Sequence, residues 1–163
     1  MMLFWDTSAI LAGVFLEAQS PLAREAAAAT SCGYAWDWLK VEAECALARR
    51  RATSAQWAAL AALLGPFRFD HVTDRDQAAI GERNRNWRLR AADAGHLFCF
   101  TRVAAVIPDL QLVTFDDEML AVARRLQLAV WPPTPPPREK GKAVREQAGV
   151  YRARRKRAPR KQP

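Results

Sequence analysis

Four acidic residues are placed where a carboxylate is either costly or crowded. Asp6 ends the apolar run Met2–Trp5, and Asp116 ends the run Leu110–Phe115. Glu42 lies within a turn of Trp38, Leu39, Cys45 and Ala46 on an expected helix, so it shares an apolar stripe. Glu44 is rotated away toward Lys40 and reads as a solvated face residue. Asp93 opens a helix whose next turn carries Leu97 and Phe100. Each acid has an ordinary reading: Asp6 and Asp116 as helix caps, Asp93 as a helix-start acid favoured by the dipole, Glu42 as the partner of an arginine. Taken together they suggest something else. Carboxylates brought close raise one another's pKa unless a cation intervenes, and hard divalent cations prefer such all-oxygen sites. Paired Mg²⁺ or Mn²⁺ ions can activate water and steady a leaving oxygen in phosphodiester hydrolysis.

The elements that must position these acids alternate in type. Short apolar strands are expected at Met2–Trp5, Gly33–Trp36, Phe67–Val72, Leu110–Phe115 and Leu128–Val130. Helices are expected at Thr7–Glu17, from Pro21 to Thr30, from Asp37 to Arg51, and from Ser54 to the Gly65-Pro66 stop. Three more follow at Asp74–Trp87, Ala92–Ala105 and Asp117–Leu126. This alternation points to an α/β fold, a parallel sheet with helices on both faces. Ligands of such sheets bind at the carboxyl ends of the strands, where the strand order switches. Asp6 and Asp116 would meet there if their strands are neighbours.

Charge divides the chain. Residues 1–137 hold 14 Lys/Arg against 15 Asp/Glu, whereas residues 138–163 hold 11 against 2. The expected organisation is a globular domain over 1–131, a stiff spacer over 132–137 with five prolines in six residues, and a basic, disordered tail over 138–163. The tail cluster containing Arg154, Arg155, Lys156 and Arg157 suits nonspecific attraction to RNA. Arg83, Arg85, Arg88 and Arg90 bracket Trp87 just before Asp93. They read either as a substrate track with a base-stacking Trp or as a solvated helix face around a core Trp. His96, one turn from Asp93, reads as a packing or hydrogen-bonding residue, and His71 has no evident partner. Three widely spaced cysteines fit neither a disulfide framework nor a zinc site, and no signal peptide or membrane anchor is read. A cytoplasmic protein is the expectation.

The segments Leu3–Ala9 (LFWDTSA), Val41–Arg50 (VEAECALARR), Leu89–Leu97 (LRAADAGHL) and Leu112–Leu120 (LVTFDDEML) resemble, in order and spacing, PIN-domain ribonucleases of the VapC type, toxins of type II toxin–antitoxin pairs. The resemblance covers about residues 2–131. It implies strand order 3-2-1-4-5 and an acidic quartet of Asp6, Glu42, Asp93 and Asp116 as catalytic and metal-ligating residues. Thr7, Ser8 and Thr114 would bond to these acids or to metal-bound water, with capping and sheet packing as the ordinary reading, favoured for Ser8 and Thr114. It further implies Mg²⁺- or Mn²⁺-dependent endoribonuclease activity leaving a 5′-phosphate and 3′-hydroxyl, a homodimer, and a cognate antitoxin. Gly95 departs from the bulky apolar residue usual in relatives, so its helix is expected to pack differently. Asp37 stands where Ser or Thr is common and is expected to cap. Other functions stay open: a PIN nuclease in RNA processing or on DNA flaps, or a degenerate RNA-binding module. A phosphatase of the haloacid dehalogenase type needs a second Asp two positions after the first, where this chain has Ser8.

Overall fold

The computed structural model describes residues 1–132. The spacer beyond Pro132 and the basic segment with Arg154, Arg155, Lys156 and Arg157 lie outside the described residues. Five strands and seven helices alternate: β1 (Met2–Trp5), α1 (Thr7–Val14), α2 (Ser20–Ala29), β2 (Cys32–Trp36), α3 (Trp38–Arg49), α4 (Ser54–Leu64), β3 (Arg68–Asp70), α5 (Asp74–Trp87), α6 (Ala91–Ala104), β4 (Gln111–Val113), α7 (Asp117–Arg125) and β5 (Val130–Trp131). All pairings are parallel, and the strand order is β3-β2-β1-β4-β5.

Strand β1 is the centre of this sheet, covered on both faces, which is why it reads as an uninterrupted apolar run. Its side chains alternate. Leu3 and Trp5 join a core with Ala9, Ile10, Ala26, Leu39, Leu47 and Leu60, so α1–α4 cover one face. Phe4 joins the opposite core with Trp87, Leu97, Phe100, Leu112 and Met119, so α5–α7 cover the other. Leu3, Phe4 and Trp5 are at most 1% exposed. Burial of each such side chain favours folding by about 1.5–3 kcal/mol, which fixes β1 and the residue that follows it.

Several element ends differ from the sequence reading. Helix α1 stops at Val14 rather than Glu17, because Phe15 takes an extended conformation and Glu17 turns to an ion pair with Arg50. Strand β3 is confined to Arg68–Asp70, where Arg102 of α6 bonds the Asp70 carboxylate and the His71 carbonyl. The same guanidinium reaches Asp76 at 2.8 Å, pinning β3, α5 and α6 together. Strand β4 ends at Val113 rather than Phe115, since Thr114 turns its hydroxyl toward Asp6 and the Phe115 N–H goes to Ser8. Asp37 makes no capping bond; its carboxylate accepts from His71 Nδ1 at 2.8 Å, so His71 does have a partner. No described helix is long and apolar enough to cross a membrane.

Candidate functional site

The order of the sheet reverses between β1 and β4, and the chain turns after both strands build one rim. Asp6 follows β1 directly and its N–H bonds to the Val113 carbonyl at 3.0 Å. The residue is 3% exposed. One oxygen, Oδ2, accepts from the Ser8 N–H at 3.1 Å, the Ser8 hydroxyl at 2.5 Å and the Thr114 hydroxyl at 3.1 Å. The other, Oδ1, faces His96 Nε2 at 3.8 Å. Asp116 caps α7, its Oδ1 accepting from the Met119 N–H at 2.7 Å. Both acids therefore do cap helices, as the simpler reading held, and both do so at the same rim.

Glu42 comes to this rim from α3. Its partner is not an arginine. Oε2 accepts from the Thr7 hydroxyl at 2.6 Å and pairs with His96 Nε2 at 2.7 Å. The apolar stripe expected around it is also displaced. Trp38 and Cys45 are exposed, and the buried stripe of α3 is Leu39, Ala43, Ala46 and Leu47, leaving Glu42 at its edge. Burial alone would raise the Glu42 pKa, but hydrogen bonds from His96 and Thr7, with the imidazole charge, outweigh it and hold the carboxyl below its usual range. His96 is the counterpart. Burial disfavours its charge, yet the bond to Glu42 and the field of Asp6, Glu42 and Asp93 push its pKa upward. His96 is 1% exposed, and its Nδ1 has no partner among the described residues.

Asp93, in the first turn of α6, completes the group. No hydrogen bond reaches its side chain among the described residues. Burial, then the charges of Asp116 and Asp6, with a smaller push from Glu42, raise its pKa to about 6. A carboxyl so displaced is one that feels its neighbours at short range. Asp6 and Glu42 are thus linked through His96, and Asp93 is near enough to Asp116, Asp6 and Glu42 to feel their charges.

The donor chemistry here fits a hard divalent cation, since every candidate ligand is a carboxylate oxygen. The arrangement is not closed around one point: among the described residues, no three His, Cys, Asp or Glu side chains converge as a metal-holding group. Asp6 Oδ1, the second oxygen of Asp116 and the whole carboxylate of Asp93 are the ones left for an ion.

The arginine group divides. Trp87 is 8% exposed and packs in the core with Leu97 and Met119, so it presents no face for a base to stack on. The cause is that α5 is largely polar and Trp87 is its one fully buried residue, with Ala79 and Ile80 partly buried beside the same core. Arg83 lies over the Phe98 ring at 5.0 Å and bonds Thr101, so it braces α5 on α6. Arg85, Arg88 and Arg90 are exposed, with Arg88 in the left-handed region at φ 59° and Arg90 at the N-cap of α6.

His96 is the residue of this site that the sequence argument undervalued. The signal was present: it lies three positions after Asp93, which on a helix puts both on one side. Gly95 has a matching explanation. A Cβ there would lie 2.4 Å from the Trp36 ring, so the bulk expected at this position is supplied by Trp36 instead. Trp36 in turn meets the His96 ring edge-on at 5.2 Å.

No family model matches the chain, and no curated protein matches it. Among solved structures, the chain is similar to the crystal structure of PAE2754 from Pyrobaculum aerophilum, at 23% identity and a TM-score of 0.48, covering 75% of this chain and 87% of that one.

Proposed function

We propose that the chain is a divalent-metal-dependent endoribonuclease, the toxin of a toxin–antitoxin pair, acting as a homodimer and held in check by a cognate antitoxin. The observation that supports the reading is that Asp93 lies near enough to Asp116, Asp6 and Glu42 for their charges, with burial, to push its carboxyl to about 6, while Asp6 and Glu42 share His96. Bound Mg²⁺ or Mn²⁺ would supply activation of water and neutralisation of the leaving oxygen. The chain's own groups do the rest. Asp6 is oriented by Ser8 and Thr114, which take one of its oxygens and leave the other facing the rim. Asp116 is oriented by the start of α7. Thr7 and His96 hold Glu42 ionised, so it adds charge to the site without needing to ligate directly. Arg85, Arg88 and Arg90 supply exposed cationic contacts for phosphate outside it.

A second reading has its own support. The absence of a three-ligand convergence among the described residues, and the engagement of Glu42 by His96, favour an RNA-binding module that has lost catalysis. One experiment separates the two. The full-length protein is incubated with structured RNAs in Mg²⁺ or Mn²⁺, in EDTA, and as Asp93→Asn. Cleavage that disappears both in EDTA and in the variant is the expected result. Intact RNA with folded protein that still binds it would transfer the assignment to the binding module.

A further inference from the structure

A groove opens beside the carboxylate rim, between the β2–α3 turn and helices α5 and α6. Its volume is about 600 Å³, within the range of sites for small organic groups. One wall is aromatic. Trp36 and Trp38 stack with ring centroids 6.1 Å apart and planes 26° from parallel. Trp36 is half-buried, wedged over Gly95, while Trp38 remains 47% exposed. Ile80 and Ala92 add apolar lining, Gln77 brings an amide that can both donate and accept, and Asp37, paired with His71, adds a carboxylate at the margin. A large exposed indole held flat by a second, fixed indole is an ordered surface that loses little freedom on binding.

The groove is joined to the acidic site through three contacts. Ala92 adjoins Asp93 in sequence. Glu42 lies one turn along α3 from Trp38. Trp36 touches His96, which holds Glu42. These links set the groove on the side of the rim where Glu42 and Asp93 lie.

We propose that this groove is a subsite for one unpaired nucleobase, stacked on Trp38 and read at its edge by Gln77, which places the adjoining phosphodiester at the rim. The inference rests on the RNA reading above. An aromatic platform with a single amide suits a flat, polar-edged ring. The side chains of a partner protein are the competing occupant.

The test compares two strands of equal length and charge, a short oligoadenylate and its abasic ribose-phosphate counterpart, titrated onto the full-length protein in EDTA by fluorescence anisotropy. Phosphate contacts anywhere on the chain contribute equally to both, so the ratio of affinities isolates the base. Stacking of one base on an aromatic side chain corresponds to a preference of about tenfold. Wild type should show it, Trp38→Ala should lose it, and Trp38→Phe should keep most of it. Because Trp38 is about half exposed and lies outside both buried cores, the alanine variant should fold, and circular dichroism checks that. Equal binding of the two strands by wild type, or a preference unchanged in Trp38→Ala, overturns the proposal and leaves the groove to a partner protein. The two readings fail separately. RNA cleavage without a base preference removes the subsite and keeps the nuclease. A Trp38-dependent preference without cleavage keeps the subsite and removes the nuclease.

Discussion

Replacing Asp93 by Asn should make the metal-free protein more stable at neutral pH, although it removes a group the proposed chemistry needs. The folded-state pKa of Asp93 is about 6 against an ordinary value of 3.8. Between those values the folded chain holds a proton that the unfolded chain releases, so stability falls as pH rises through this window. Above it the whole penalty is felt. Two units correspond to about 3 kcal/mol, and screening of this partly solvated carboxylate reduces the figure to roughly 1.5 kcal/mol. Asparagine keeps the shape and removes the charge. In EDTA at pH 7.5, Asp93→Asn should therefore gain about 1.5 kcal/mol, or some 3–6 °C in Tm for a domain of this size. At pH 4 the two proteins should melt nearly together. Denaturant unfolding across pH 4–8 reads the difference directly. A variant that is no more stable than wild type at pH 7.5, with parallel pH curves, would mean that the carboxylates do not crowd Asp93, and the argument for a cation site would fall with it. Mg²⁺ adds a second arm. It should restore stability to wild type above pH 6 and do little for the variant, because ligand binding stabilises only the state that binds.

His96→Gln should destabilise the fold by about 2 kcal/mol, the scale of a lost charge-assisted hydrogen bond to a half-buried carboxylate. Because the histidine's folded pKa is raised, its contribution is complete below its unfolded pKa of about 6.5 and fades above it, so the deficit measured by urea unfolding should be larger at pH 6 than at pH 9. Gly95→Ala should cost about 1–3 kcal/mol by overpacking against Trp36, and Gly95→Ala combined with Trp36→Leu should recover part of that loss in thermal melts.

The fold was legible because each central strand is a compact apolar run bounded by residues that end it. The alternation of such runs with helical periodicity leaves a parallel sheet as the consistent answer. The order of the strands came from the resemblance, and β1 and β4 are neighbours as it implied. Strand lengths were less legible. Leu110–Phe115 has strand-like composition throughout, but pairing stops at Val113, because Thr114 is drawn to Asp6 and the Phe115 N–H to Ser8. Those contacts span more than a hundred residues and leave no local trace. His71 and Asp37 are a similar case: one looked solitary along the chain and the other read as a helix cap, and the turn after β3 brings them to 2.8 Å. Trp87 shows the opposite limit. Four nearby arginines made an exposed base-stacking role conceivable, but a largely polar helix must bury its few large apolar residues to stay attached, Trp87 fully and Ile80 in part.

For the acids, the capping reading and the site reading describe the same geometry at different scales. Asp6 accepts from the start of α1 and Asp116 from the start of α7, so each is partly compensated by backbone N–H groups at a positive helix end. That compensation is what allows two carboxylates to stand together with a third and a fourth. Glu42 is compensated differently, by a hydroxyl and an imidazole. Asp93 shares the dipole of α6 but accepts no hydrogen bond among the described residues, and it is the carboxyl whose pKa rises. The residue with the least internal compensation is thus the one whose charge is left for a ligand to neutralise. A cation arriving at the rim would gain most from Asp93, and the local caps would hold Asp6 and Asp116 in place while it did so.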